Sequence, residues 1–468
     1  MSVDWPVLTL GDVCEKITDG AHNSPKSVDH GKPMASVKDL THFGVDLSDA
    51  RLISHEDFEK LVKQGCQPEV GDVLIAKDGN TALDTVCTVD EPLNVVMLSS
   101  VAILRPYKEK LDSDFLKYYF SSKQVIEYLK NNFISGAAIP RIVLKDFRKA
   151  EIKVPPLYIQ KEISKKLRAL DDKIKLNIQI SQTLESIAQI IFESWFVNFD
   201  PVKAKIAVLE AGGSENEAEQ AAMCEISGKD ELALTQLQQQ QPKAYEKLAK
   251  TAALFPSSMQ KSDLGNIPEG WKISEIGNEV TAVGGGTPST KNNEFWDDGS
   301  FHWATPKDMS SLREKVLIET ERKITEEGLR RISSGLLPVN TVLMSSRAPV
   351  GYLAITKVPL AINQGFIAMK CNKTLSPEFV LQWCNFQMDE IKQRASGTTF
   401  AEISKKSFNS IPVVVPKHEI VEKYTNQVKS IYSHIEQNIL ESKTLSQLKD
   451  SLLPKLLSGE IELIDEGY

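Results

Sequence analysis

The segment ISGAAIPRIVLKDFRKAEIKVPP, residues 134–156, decides the fold, because a related segment, ASGTTFAEISKKSFNSIPVVVP, returns at residues 395–416. Both segments end in an alternating or apolar run closed by proline, and the closing prolines lie 416 − 155 = 261 residues apart. Self-similarity over a fixed separation predicts two copies of one structural unit. The matched residues are Ser135 with Ser396, Phe147 with Phe408, and Pro155 with Pro416.

Shorter matches extend this repeat toward the start of each half. They occur in the same order in both halves, so we expect each half to contain a globular domain of about 150 residues. The matches are WPVLTLGDV from Trp5 with WKISEIGNEV from Trp271, SVKDL (36–40) with ATPKDM (304–309), and VGDVLIAKDG (70–79) with VNTVLMSSRAPVG (339–351).

Each globular part is followed by a segment with the apolar spacing of a coiled-coil helix. Apolar residues recur at alternating steps of four and three, the heptad pattern, and an asparagine interrupts each segment near its middle. The two asparagines are again 438 − 177 = 261 residues apart. The predicted seam consists of Ile163, Leu167, Leu170, Ile174, Asn177, Leu184 and Ile191 in the first helix, and Val428, Ile431, Ile435, Asn438, Leu445 and Leu452 in the second.

A narrow apolar stripe on a long helix has to be buried, and the repeated helix is the obvious partner. If the two helices run antiparallel, Asn177 meets Asn438 near the middle, where a polar pair fixes the register at some cost in stability. The alternative is that each helix packs on its own globular domain.

The expected fold class is α+β, with two globular domains in tandem repeat separated by two long helices that form an antiparallel coiled coil. The stretch between the halves is rich in Ala, Glu and Gln, which predicts an exposed connector with marginal helices. The predicted parts are a first domain (1–156), a first long helix (157–197), a central connector (198–270), a second domain (271–416), a second long helix (417–458) and a C-terminal tail (459–468).

The composition is that of an ordinary globular protein, with 41% hydrophobic and 25% charged residues and a formal net charge of −8. The six cysteines are scattered and form no C-x-x-C pair, so neither a zinc site nor a disulfide framework is indicated. Scattered thiols fit a cytoplasmic protein. The first residues, MSVDWPVLTL, lack the pattern of a secretory signal, and no apolar run approaches the length of a membrane span.

The glycine-rich stretch VGGGTPSTK (283–291) raises the question of a nucleotide site. A phosphate-binding loop needs its lysine directly after the last glycine, whereas Lys291 follows Thr290 here. The spacing therefore argues against a nucleotide phosphate. The histidines between His22 and His55 also lack the spacing of a helical metal site.

Several motifs occur in a fixed order along the chain: ITDGAHNSP (17–25), PPLYIQKEI (155–163), FESWFVNFDPVKAK (192–205), LGNIPEGW (264–271) and GGGTPSTKNNEFWDDGSFHWATPKDM (284–309). In this order, and together with the duplication, they resemble the specificity subunit of a type I restriction–modification enzyme. Just before the second long helix, PKHEIVEKY stands where the first half has PPLYIQKEI, so the start of the second helix is less clearly marked.

The resemblance implies that each globular half is a target recognition domain, which reads one part of a bipartite double-stranded DNA sequence. It implies that the paired helices set the spacing and dock two methyltransferase subunits, and that motor-nuclease subunits join this core. It further implies a subunit without catalytic residues, without a cofactor or metal site of its own, and without a membrane partner. S-adenosylmethionine, ATP and Mg²⁺ would belong to the partner subunits.

Neither domain is globally basic, since residues 1–150 carry 18 Lys and Arg against 22 Asp and Glu. Contacts with DNA phosphates would therefore come from a few local side chains. The glycines of 284–286 would either let the backbone approach DNA or serve a tight turn that needs a positive φ. Arg347 would read guanine or form a surface ion pair. The candidate DNA-binding residues are His22, Lys26, Lys38, Lys77, Thr287, Ser289, Lys291, Lys307 and Arg347.

Three other functions remain to be weighed. A complete methyltransferase-nuclease would need an Asn/Asp-Pro-Pro-aromatic motif, but the only PP dipeptide, Pro155–Pro156, follows Val154. A recognition subunit of a type IIB-like restriction–methylation enzyme would have the same features as the leading hypothesis. A coiled-coil scaffold without a DNA role would not need two elaborate and differing α+β domains.

Overall fold

The computed structural model describes residues 5–79, 82–135, 140–397 and 401–461. These residues form two compact units: unit 1 runs up to Leu176 and resumes at Glu441, and unit 2 is Asn177–Leu440. Each unit contains one globular domain and part of each long helix. Most of the predicted tail, 459–468, and the centres of the two repeated segments lie outside the described residues.

The first domain, in unit 1, is built on an antiparallel sheet of strand order β2-β10-β7-β8, beside a second sheet of order β6-β3-β9 in which β3 and β9 are parallel. Strands β1 and β13 pair next to the chain's entry and exit. The strands are β1 (Val7–Thr9), β2 (Cys14–Asp19), β3 (Lys32–Ala35), β4 (Leu40–Thr41), β5 (Gly44–Val45), β6 (Arg51–Ile53), β7 (Val73–Ala76), β8 (Val86–Thr88), β9 (Val96–Met97), β10 (Val101–Pro106), β11 (Ile134–Ser135), β12 (Arg141–Ile142) and β13 (Glu151–Lys153). The helices are α1 (Leu10–Val13), α2 (His55–Lys63), α3 (Ser113–Ser121), α4 (Lys123–Phe133), α5 (Leu144–Phe147) and the long α6 (Leu157–Phe196).

The connector follows α6 and contains four helices and a hairpin. These are α7 (Asp200–Glu210), α8 (Glu215–Ser227), α9 (Glu231–Gln240), α10 (Pro242–Ala252), β14 (Met259–Ser262) and β15 (Gly265–Pro268).

The second domain, in unit 2, repeats the strand order of the first. Its main sheet has the order β17-β24-β21-β22, extended by β19, and its second sheet has the order β20-β18-β23 with β18 parallel to β23. The strands are β16 (Lys272–Glu275), β17 (Thr281–Gly284), β18 (Phe301–Ala304), β19 (Val316–Leu317), β20 (Arg322–Ile324), β21 (Val342–Ser345), β22 (Leu353–Thr356), β23 (Leu360–Ile362), β24 (Phe366–Lys370) and β25 (Pro412–Val415). The helices are α11 (Ile276–Glu279), α12 (Pro306–Ser310), α13 (Glu326–Arg330), α14 (Pro377–Phe386), α15 (Met388–Gln393), α16 (Lys405–Asn409) and the long α17 (His418–Leu457).

The shared topology confirms the α+β fold class and the tandem repeat. Strands β7 and β21, read from the sequence as VLIA and VLMS, are buried at every residue because alternate side chains pack into different cores on the two faces of the sheet. Helices α3 and α14 begin at equivalent caps, where Asp112 and Ser376 accept hydrogen bonds from the backbone N–H groups of Phe115 and Phe379.

The connector differs from the exposed segment with marginal helices that its composition predicted. Its apolar residues pack into the same core as the end of α6: Val202, Met223 and Phe255 are buried together with Trp195. The small alanines of α8 allow this close packing. The low content of large apolar residues therefore wrongly suggested that the connector is exposed. One sequence signal did mark a real helix start, since Ser214 and Glu217 form a capping box.

In unit 1, the two long helices run antiparallel. Asp171 of α6 lies 2.6 Å from the ammonium of Lys449 in α17, and Lys173, further along α6, lies 3.2 Å from the earlier residue Glu441. Leu453 and Leu456 of α17 belong to the same core as Ile163 and Leu167 of α6.

Unit 2 shows the same direction. The amide of Asn438 donates to the hydroxyl of Ser181 at 3.2 Å, and Phe192, later in α6, packs against Tyr424, earlier in α17, with ring centroids 6.1 Å apart. Ser181 lies one helical turn beyond Asn177, so the polar centre of the seam includes this serine. The direct meeting of Asn177 with Asn438 stays a prediction.

All the seam residues predicted from the heptad pattern are buried or half-buried, and both asparagines are buried. The helices begin and end at Leu157, Phe196, His418 and Leu457, beside the predicted bounds of 157–197 and 417–458. Within the described ranges, no helix has the length and apolar character needed to cross a membrane.

The alternative in which each helix packs on its own domain also holds. Along α6, Ser164 donates to the α3 cap Asp112 at 2.6 Å, and Arg168 donates to Asp114 at 2.6 Å. In unit 2, Gln382 of α14 donates to the hydroxyl of Tyr432 of α17 at 2.8 Å. The helices therefore pair with each other and with the globular domains, because each has a polar face as well as the heptad stripe.

A buried charge cluster in unit 1 joins α3, α6 and α17. The carboxylate of Asp171 accepts from Lys117 at 3.0 Å, from the hydroxyl of Tyr118 at 2.9 Å and from Lys449 at 2.6 Å. Asp171 is only 3% exposed, so its charge depends on these partners rather than on water. The seam pattern did not indicate this residue.

Lowering the pH is expected to weaken unit 1 through Asp171. Burial raises the pKa of this carboxyl, but Lys117 and Lys449 outweigh burial, and the pKa in the folded chain lies below its ordinary value. Such a carboxylate contributes stability above about pH 4, and the contribution is lost as the pH falls through the folded pKa. Denaturation at pH 6 and at pH 3 should therefore show a smaller acid-induced loss for Asp171→Asn than for the unaltered chain. An equal loss in both would contradict this account.

Candidate nucleic-acid interface

A glycine follows the first strand of the main sheet in both domains and is required there by close packing. A Cβ added at Gly20 would lie 2.0 Å from the carbonyl oxygen of Met97, and one at Gly285 would lie 2.0 Å from that of Ile362. Among the described residues, the glycines with positive φ do not include 284–286, so the expected tight turn with positive φ is wrong. The backbone that comes close to Gly285 is the protein's own strand β23.

The loop after Gly285 presents three of the candidate residues at the surface. Thr287, Ser289 and Lys291 are exposed, and the Thr287 hydroxyl donates to the side chain of Gln364 at 2.5 Å. The indole N–H of Trp296 donates to the carbonyl of Ser289 at 3.0 Å, which fixes the middle of the loop.

Four candidate lysines differ in their freedom to meet a phosphate. Lys26, Lys38 and Lys291 are exposed, and within the part of the chain that the structure describes they form no ion pair. Lys307, also exposed, lies 2.8 Å from Glu321. The first three could therefore contact DNA phosphates without breaking an internal pair.

Lys77 is placed differently from the candidate role assigned to it. Its side chain is only 6% exposed, and its ammonium lies 2.5 Å from Asp19 and 4.0 Å from Asp78. A lysine buried between two carboxylates offsets part of their negative charge and does not reach a phosphate at the surface. The structure therefore argues against Lys77 as a direct DNA contact.

The carboxylates beside Lys77 hold two exposed side chains. Asp19 lies 3.1 Å from the Nε2 atom of His22, and Asp78 accepts from the Nε atom of Arg141 at 3.1 Å. His22 is 76% exposed and Arg141 is 60% exposed. We call this row the charge chain: His22, Asp19, Lys77, Asp78 and Arg141.

Backbone hydrogen bonds between the residues after strand β7 and the segment 140–142 place Arg141 beside Asp78. We call these contacts, and their equivalent in the second domain, the strand-end clasp. In the first domain, Gly79 donates to the carbonyl of Pro140 and Ile142 donates to that of Lys77, at 2.9 and 3.1 Å. In the second domain, Ile403 donates to the carbonyl of Ser346 at 3.0 Å. The clasp residues Ile142 and Ile403 are 403 − 142 = 261 apart, so the clasp is part of the repeat.

The second clasp carries Arg347 and Glu402. Arg347 is bridged to Glu402 through the backbone, and its guanidinium lies 3.6 Å from the Glu402 carboxylate. Arg347 was predicted from the sequence; Arg141, Asp19, Asp78 and Glu402 were not. Arg141 and Glu402 are separated by the repeat distance, 402 − 141 = 261 residues, and this spacing was the signal that could have found these two residues.

The aromatic residues near these loops pack mainly within the protein. Trp303 is buried, its ring lies 4.9 Å from that of Trp296, and the guanidinium of Arg322 lies 3.7 Å above the Trp296 ring. Trp195 and Phe196 are buried in the core of unit 2, where Trp195 packs against Phe255 of the connector and Phe196 packs against Trp271 and Phe379 of the second domain.

The comparisons with known proteins agree with this architecture. The family model described as "Type I restriction modification DNA specificity domain" matches residues 2–186 and 268–449, one match for each half. The type I restriction enzyme HindI specificity subunit of Haemophilus influenzae is 34% identical over 384 residues, which cover 80% of this chain and 83% of that protein. The type I restriction enzyme MjaIX specificity subunit of Methanocaldococcus jannaschii is 30% identical over 207 residues, which cover 44% of this chain and 47% of the relative.

A solved structure supports the fold. The S subunit of a type I restriction-modification system from M. genitalium matches with a TM-score of 0.51 and 16% identity, over 97% of this chain and 96% of that one. The chain belongs to the family of type I restriction–modification specificity subunits, and its two globular domains are the two specificity domains of that family.

Proposed function

We propose that this chain is the non-catalytic, DNA-reading subunit of a type I restriction–modification complex, in which each domain reads one half of a bipartite target. The observation that carries the proposal is the chemistry at equivalent positions of one shared topology. The first domain has the charge chain around Lys77, whereas the second has Ser346 at the equivalent clasp position and a single pair, Arg347 with Glu402. Two domains with the same fold but different hydrogen-bond donors and acceptors at equivalent positions are expected to bind two different half-site sequences.

The proposal includes the partners that the chemistry needs. Two methyltransferase subunits, docked on the α6–α17 helix pair, would bring S-adenosylmethionine to the DNA, and motor-nuclease subunits would use ATP and Mg²⁺. The helix pair would set the spacing between the half-sites, because a heptad seam with a hydrogen-bonded polar centre resists sliding by a turn. In this proposal the chain itself supplies recognition.

The test is methylome sequencing of a host that expresses this chain with its methyltransferase partner. The expected result is methylation at a split motif, with two specified parts around a spacer of fixed length. A host expressing the methyltransferase subunit alone is the control and should lack that motif. Methylation of an unbroken motif, or of the same sites without this chain, would reject the proposed function.

A further inference from the structure

The two domains carry an ion pair at the same place with opposite polarity. In the first clasp, the anion Asp78 follows strand β7 and the cation Arg141 lies on the segment that leads to α5. In the second clasp, the cation Arg347 follows strand β21 and the anion Glu402 lies on the segment that leads to α16. An arginine is therefore present at both clasps, but it comes from opposite sides.

The guanidinium of Arg141 is held at one end and open at the other. Asp78 binds its Nε atom, and within the described residues its two terminal nitrogens have no hydrogen-bond partner. Terminal nitrogens of arginine form the planar fork that matches the O6 and N7 atoms of guanine in the major groove. With 60% of its side chain exposed, Arg141 can present this fork outward.

The support behind Arg141 is mostly shielded from solvent. Asp78 is 15% exposed and lies 4.0 Å from the buried ammonium of Lys77, which also pairs with Asp19. A carboxylate held in this way fixes the direction of the guanidinium before DNA arrives, which lowers the entropy lost on binding. A phosphate contact would not need such precise support, because phosphates accept from many directions.

Arg347 is held more loosely and by a different route. Its guanidinium faces Glu402 at 3.6 Å, beyond hydrogen-bond distance, and 37% of its side chain is exposed. Its backbone is nevertheless fixed by the bridge to Glu402, so the side chain starts from a defined point on the surface.

We propose that Arg141 and Arg347 each read a guanine, one in the half-site of each domain. The proposal rests on the proposed function and names the specificity residue within it. Because the two arginines enter from opposite sides of equivalent clasps, they meet different positions of their half-sites. The reversal of one ion pair thus gives a repeated domain a second sequence preference without a change in its fold.

The experiment measures methylation of a library of randomised targets by the full chain in complex with its methyltransferase subunit. In Arg141→Ala, discrimination for guanine at one position of one half-site should fall by about tenfold to a hundredfold, and the other half should be unchanged. Arg347→Ala should do the same in the other half. Arg141→Lys, which keeps the charge but loses the fork, should also relax that position.

Arg330→Ala is the matched control, because Arg330 is an exposed arginine of the second domain that is paired with Glu326 and Glu327 on its own helix. It should leave both half-sites unchanged, and thermal melts should show that every variant folds. A uniform loss of methylation across all sequences, rescued by Arg141→Lys, would mark a phosphate contact and overturn the assignment. A half-site without a G·C pair would overturn it for that domain.

These outcomes separate the assignment from the function on which it rests. A complex of the unaltered chain that recognises no split sequence would reject the proposed function, and this assignment with it. A split sequence that Arg141→Ala and Arg347→Ala leave intact would reject the assignment alone.

Discussion

Replacing Asp171 with asparagine is expected to lower the free energy of unfolding of unit 1 by about 3–5 kcal/mol, the usual cost of breaking a buried ion pair from one side. The change keeps the size of the side chain and an oxygen for Tyr118. It removes the negative charge that Lys117 and Lys449 share inside the protein. Lys117 and Lys449 then lie inside the protein without the carboxylate that balances their charges. The contacts among α3, α6 and α17 weaken together.

Chemical denaturation of the full chain, monitored by a signal that reports on unit 1, would measure this loss. Asp172→Asn is the matched control, since Asp172 is the next residue of α6, is 66% exposed and lies 4.0 Å from Arg168. That change should alter the free energy of unfolding by less than about 0.5 kcal/mol. Equal stability of the two variants would show that the buried cluster does not stabilise unit 1.

The second unit indicates why the effect should be confined to the first. The residue 261 positions after Asp171 is Tyr432, which receives a neutral hydrogen bond from Gln382. The residue 261 positions before Lys449 is Ala188. At equivalent positions of the repeat, unit 1 therefore has a buried ion-pair cluster and unit 2 has neutral groups. Only the cluster in unit 1 depends on a single carboxylate.

Exchanging residues 271–416 for the corresponding domain of another family member should replace one half of the recognised DNA sequence and leave the other half as it was. The structure supports such an exchange because the domain's chain enters and leaves on paired strands. In the antiparallel pair β16–β25, Lys272 lies opposite Val415. A domain whose ends are already adjacent can be replaced without moving the flanking helices.

The exchanged domain has to keep the packing at its base. Trp271 is buried, and its ring lies 6.0 Å from that of Phe196 and 5.6 Å from that of Phe199. A donor domain that also begins with tryptophan meets this need. Methylome sequencing would report the result, and exchange of residues 1–156 is the reciprocal control that should change the other half. If either exchange alters both halves, the two domains do not read independently.

The candidate site could be predicted from the sequence only in part. Lys26 and Lys291 lie in polar stretches of the chain and are at the surface in the structure. Lys38, beside Val37, is also exposed, whereas Lys77, in AKDG after an apolar strand, is buried. Its burial depends on Asp19, 58 residues away, and local sequence carries no sign of that contact.

The sequence by itself determined the duplication, the α+β class, the position of both long helices and the family. These features follow from periodicities, of 261 residues for the repeat and of seven for the heptads, and a period is visible without any knowledge of contacts. The tertiary structure alone decided which polar groups became buried partners. Asp171 meets Lys449 across 278 residues, Arg141 meets Asp78 across 63, and the connector closes over Trp195. Such pairs are set by how sheets and helices bring distant segments together, so their energy depends on geometry that no single segment encodes.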